Sequence, residues 1–200
     1  MVMLQADVHE LTRWLEDNFG DQMEAALAST PFSVELACAI ACKETGIYLL
    51  PFARDLSPAD AIARCVFDAS GDAAGTSRNA FPRNTDAFRE AYGDDLTEML
   101  IDEANQSRLL RGLDQKDWVY KGYGPFQYDL QHIGVDIEFF RDRLWYDFDE
   151  CLRRFISEMQ KKLDATDDLG RAIQAYNGSG LRAAQYRADV EQILEIVQSA

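Results

Sequence analysis

Apolar positions recur at helical intervals along nearly the whole chain. Leu11, Trp14, Leu15 and Phe19 predict an amphipathic helix over 7–19, because residues three and four apart share one face. The stretch "VELACAIACKETGIY", residues 34–48, differs in being apolar nearly all round up to Lys43, the pattern of a helix buried on every side. It is read as ending at Glu44, with Thr45-Gly46 as its break. Ser57 and Pro58 open another helix as N-cap and first helical residue. The Gly-, Ser- and Asn-rich run "ASGDAAGTSRNAFPRN", 69–84, reads as a long surface loop.

Helices resume over about 85–92 and 94–111, closed by Gly93 and Gly112. The longest is read over roughly 143–164, where Leu144, Phe148, Leu152, Phe155, Ile156, Met159 and Leu163 repeat on one face. Two more follow over about 167–177 and 181–198, parted by "NGSG". No strong hairpin signal interrupts them. The expected fold class is therefore all-α, in a single domain spanning 1–200.

Composition changes the picture in two ways. With 47% hydrophobic and 11% aromatic residues the chain has ample material for a packed core. Its net charge of −15 argues against nucleic acid and anionic membrane as partners, since both are held by clustered Lys and Arg. No apolar run reads as approaching a membrane span, and "MVMLQADVHELTRW" lacks the pattern of a secretory signal. The expectation is synthesis in the cytoplasm, with action at the cell wall after non-classical export or lysis. Cys38, Cys42, Cys65 and Cys151 lack metal-site spacing, so no metal or other cofactor is expected. They read as reduced core residues, with a Cys65–Cys151 bridge as the alternative.

Glu44 is the first candidate for chemistry. At the C-terminal end of an apolar helix, both burial and the helix dipole would disfavour its ionised form. A carboxyl that keeps its proton near neutrality suits a general acid for glycosidic cleavage.

Two further segments, "YKGYGPFQYDLQ" at 120–131 and "AYNGSGLRAAQYRADV" at 175–190, join "KETG" in a pattern that resembles the lysozyme-like superfamily, most closely goose-type lysozymes and lytic transglycosylases. The resemblance implies a helical core with a buried central helix and a large helical insertion, about 45–121 here. It implies Glu44 as general acid, with Asp129 and more loosely Asp117 positioning a water. Thr45, Tyr123, Gly124, Gln127, Tyr176 and Asn177 would then line the saccharide groove. The implied partner is peptidoglycan or a related N-acetylated glycan, with an inhibitor or delivery partner also compatible. "ETG" and "YGPFQ" resemble plant-type chitinases as well, so a chitinase-like glycosidase stays open. So does a non-catalytic glycan-binding or interaction protein on the same fold.

Overall fold

The computed structural model describes residues 3–69 and 71–199. The helices are α1 (Gln5–Leu27), α2 (Val34–Asp55), α3 (Pro58–Ala63), α4 (Thr85–Tyr92), α5 (Asp94–Leu110), α6 (Ile137–Arg141), α7 (Phe148–Thr166), α8 (Leu169–Tyr176) and α9 (Leu181–Gln198). Three short strands, β1 (Val66–Ala69), β2 (Tyr120–Tyr123) and β3 (Tyr128–Asp129), form one antiparallel sheet in that order. The chain is thus predominantly α, as its periodicity predicts, with a small sheet that the periodicity does not reveal.

The described residues form two compact units, one of Met1–Asp55 with Leu152–Ala200 and one of Leu56–Cys151. In the first, α2 packs against α1 and α9. Val8, Leu11 and Leu15 of α1, Ile40 and Leu49 of α2, and Val190 and Ile193 of α9 are all buried, and so are Phe155 and Met159 of α7. Burying a side chain of this size is worth about 1.5–3 kcal/mol, so these few positions dominate the unit's stability.

The expected end of the apolar helix is corrected. α2 runs through Glu44, Thr45 and Gly46, and even through Pro51, to Asp55. Thr45 is buried and donates its hydroxyl to the Ala41 carbonyl at 3.0 Å, a back-bond that keeps the side chain within the helix. Gly46 is not a break. A Cβ there would collide with Sδ of Met3 and lie 3.3 Å from Leu11, so the residue serves close packing. Because the helix continues, α2 is long and apolar enough to cross a membrane by length and composition, contrary to expectation; 67% of its most apolar window is buried within the protein.

The helix read over 143–164 is also shifted. Arg143 takes a left-handed φ of +55° and Leu144–Tyr146 forms a 3-10 turn, so α7 begins only at Phe148, and the 23-residue α1 is the longest helix. Other signals act as expected. Ser57 Oγ accepts from the Asp60 amide, Gly93 and Gly112 follow α4 and α5 with φ of +81° and +67°, and positive-φ Gly178 and Gly180 separate α8 from α9. All four cysteines are buried and outside any disulfide.

In the second unit, β2 and β3 form a hairpin with Gly122 opposite Asp129 and Tyr123 opposite Tyr128, while β1 sets Phe67 against Gly122. The same unit holds a polar network. Glu103, only 3% exposed, accepts from Arg143 Nε and the Tyr146 hydroxyl, both at 2.7 Å, and pairs with Arg64 at 3.2 Å. A buried charge requires this degree of pairing.

Candidate functional site

Glu44 lies midway along α2, half-buried. It is therefore not at the helix terminus expected for it, and what distinguishes it is its immediate company. Tyr186 on α9, buried, donates its hydroxyl to Glu44 Oε1 at 2.6 Å, at the short end of O–H···O hydrogen bonds. Burial pushes the Tyr186 phenol well up, and the charge of Glu44 and the neighbouring Tyr176 act in the same sense. The phenol thus keeps its proton and stays a donor.

On the same pair of helices, Lys43 Nζ meets Asp189 Oδ2 at 2.5 Å and lies 5.7 Å from the Tyr186 ring centre. Gln185 donates to the other oxygen of Asp189 at 2.8 Å. Burial pushes the Asp189 carboxyl up, but the hydrogen bonds from Lys43 and Gln185 and the Lys43 charge outweigh it and hold the group below its ordinary range. Tyr176 closes α8, half-buried, with its ring edge-on to Phe155 at 6.0 Å, and the exposed Asn177 caps the helix. Of the expected residues, Glu44, Thr45, Tyr176 and Asn177 thus belong to the first unit. Sequence reasoning did not single out Tyr186, Lys43 or Asp189, although Tyr186 and Asp189 fall inside the 175–190 segment.

The remaining expected residues belong to the second unit, where the fold itself makes use of several. Gln127 has a left-handed φ of +52° and folds its amide back to donate to the carbonyls of Gly124, at 2.9 Å, and Cys65, at 3.3 Å. Gly122 and Gly124 are needed around it. A Cβ on Gly122 would collide with the Gln127 side chain, and one on Gly124, at φ +74°, would strike Sγ of Cys151. Tyr123 is fully buried, with its ring edge-on to Trp145 at 4.8 Å and Phe140 at 5.2 Å.

Asp129 holds Arg78 through both carboxylate oxygens and also accepts from the Gln131 amide at 2.7 Å. Arg78 in turn donates to the carbonyls of Phe81 and Pro82, at 2.9 and 3.1 Å. Asp117 is exposed in the connection between α5 and β2. Among the described residues, no group of three or more His, Cys, Asp and Glu is arranged to hold a metal ion.

No family model, curated protein or solved structure matches the chain.

Proposed function

We propose that the protein cleaves the bond between N-acetylmuramic acid and N-acetylglucosamine in peptidoglycan, with Glu44 as the acid and base. The observation that carries this reading is the Tyr186–Glu44 hydrogen bond of 2.6 Å: a carboxyl set midway along an apolar helix accepts from a buried phenol on α9. A general acid needs such orientation, because the proton must be delivered along the breaking bond. The resemblance of "KETG", "GYGPFQ" and "AYNGSG" to the lysozyme-like superfamily supports the same reading.

The engagement of Asp129 with Arg78 favours a route without a second carboxylate. Protonated Glu44 gives its proton to the glycosidic oxygen while the muramyl C1–O bond breaks, and that bond's electron pair leaves with the N-acetylglucosamine hydroxyl. The acetamido carbonyl oxygen of the muramyl residue closes on C1. Glu44, now a carboxylate, takes the proton of the muramyl 6-hydroxyl as its oxygen displaces the acetamido oxygen. The anhydro sugar departs and Glu44 is again protonated.

Mass spectrometry of digested cell walls tests this. The anhydro product is lighter by one water than the product of hydrolysis, so reducing ends alone would overturn the anhydro route. Replacing Glu44→Gln retains shape and hydrogen bonding but not the transferable proton, and digestion should fall by about 10² or more. Near-wild-type digestion by that variant would remove Glu44 from the chemistry. The net charge of −15 favours one second reading, glycan binding without turnover, since it opposes approach to an anionic wall. Binding with no product from the wild-type protein at any ionic strength would establish it.

A further inference from the structure

The C-terminal end of α5 displays apolar side chains that the core leaves uncovered. Leu109, Leu110 and Leu113 are 56%, 49% and 42% exposed. A single exposed leucine needs no explanation, but three within one turn of chain do. The backbone that carries them is anchored. Gly112, at φ +67°, donates its amide to the Leu109 carbonyl at 3.0 Å, and Leu113 donates to the Arg108 carbonyl at 2.9 Å, the two bonds of a Schellman end. Beyond the turn, Arg108 Nε donates to the Asp114 carbonyl, and Asn105 accepts from the Lys116 amide at 2.8 Å. The leucines are thus presented by a segment already held in place, which lowers the entropy lost when something binds to it.

The charge around them runs against that of the whole chain. From Arg108 to Lys121 there are four cations and two carboxylates, whereas the full sequence has 20 basic and 35 acidic residues. Half-buried Trp118 adds an aromatic surface, with the Arg108 guanidinium 5.8 Å and the Lys116 ammonium 5.6 Å from its ring centre. We propose that this part of the second unit docks an acidic amphipathic segment of another protein, its apolar side chains on Leu109, Leu110 and Leu113 and its carboxylates toward Arg108 and Lys116. Charge complementarity selects this occupant. A second copy of the chain, or an anionic bilayer, would meet the repulsion of a net charge of −15 across a wide area. A short segment meets mainly the local field, because exposed charges more than about 8–10 Å away are screened at physiological salt. The inference is independent of the glycosidase reading.

A phage-displayed library of random linear peptides, selected on the immobilised full-length protein, tests it. The enriched peptides should combine Asp or Glu with large apolar residues, although the overall charge of the protein by itself favours basic ones. A synthetic copy of the leading peptide should bind about ten-fold or more weakly to Lys116→Glu and to Leu110→Ser than to wild type, and more weakly as salt is raised. Both positions are exposed, so the folded state should persist in each variant, which circular dichroism checks. Selection of basic peptides, binding that both variants leave unchanged, or the absence of any enrichment overturns the proposal. Preferential binding to phosphatidylglycerol vesicles, or a dimer in sedimentation that Leu110→Ser dissociates, also overturns it, since either result gives the surface to a different occupant.

Discussion

The amide of Gln127 lies against the bare α-carbon of Gly122, in the space a methyl group would need. This single contact ties the turn between β2 and β3 to the strand before it. Gly122→Ala should push the Gln127 side chain out, break its two bonds to Gly124 and Cys65, and cost about 1–3 kcal/mol. In a Gln127→Ala background much of the needed space is already open, so the two changes should be less than additive. Urea unfolding of both single variants and the double variant measures this; strict additivity would show that the contact does not couple them.

Arg78 and Asp129 make a second tie. Asp72 adds another at the far end of the same loop, accepting from the Thr85 amide at 2.9 Å and its hydroxyl at 3.1 Å. Arg78→Met should cost about 1.5–3 kcal/mol and open the loop between Gly71 and Asn84 to protease. Asp129→Asn should weaken the same tie. If Asp129 instead serves chemistry alone, Asp129→Asn would abolish wall digestion and leave proteolysis of the loop unchanged.

The Lys43–Asp189 pair sets a pH dependence of stability. The folded carboxyl of Asp189 titrates below its ordinary range, so the folded state binds fewer protons at this site than the unfolded chain does. Its contribution is fully present above the unfolded value of about 3.9 and is lost as pH falls through the folded value. In Lys43→Met the carboxyl loses its partner and titrates higher, so the acid limb of stability should begin at higher pH. Urea midpoints across about pH 2–6 read the displacement; coincident limbs would show that Lys43 does not hold the carboxyl down.

Burial pushes the Cys42 thiol up to about 12 and the Cys38 thiol higher still. The reactive thiolate is scarce at these sites, and all four cysteines are buried. The native protein at mild alkaline pH should resist alkylation and take up four labels only after unfolding. Fast labelling of any cysteine before unfolding would show local opening around it.

The helices were legible because a 3.6-residue repeat survives in the sequence wherever one face is buried. The continuation of α2 beyond Glu44 was not, since Thr45-Gly46 has the local character of a helix end and only the approach of α1 explains the glycine. The sheet escaped for a similar reason. Its strands have four, four and two residues, too few for an alternating pattern, and a folded-back glutamine side chain fixes the turn. At the candidate site, Glu44 stood out as a charge after an apolar run. Its partner Tyr186 lies 142 positions away, and Lys43 and Asp189 are 146 apart; contacts at such separation leave no periodic trace. Gln127 and Asp129 drew notice through a motif whose members also have structural duties, which spacing alone does not disclose.

The separation of Glu44 from Tyr186 also bears on biosynthesis. At ordinary translation speeds the ribosome adds the 142 residues from Thr45 to Tyr186 in on the order of ten seconds. Throughout that interval the nascent polypeptide carries Glu44 without its phenol. The contiguous segment 56–151 is complete in that interval, but Glu44 meets the Tyr186 hydroxyl only when α9 emerges from the exit tunnel. A chain stalled or clipped before that point lacks the Tyr186–Glu44 hydrogen bond, so any property that depends on this bond appears only after synthesis has passed Tyr186.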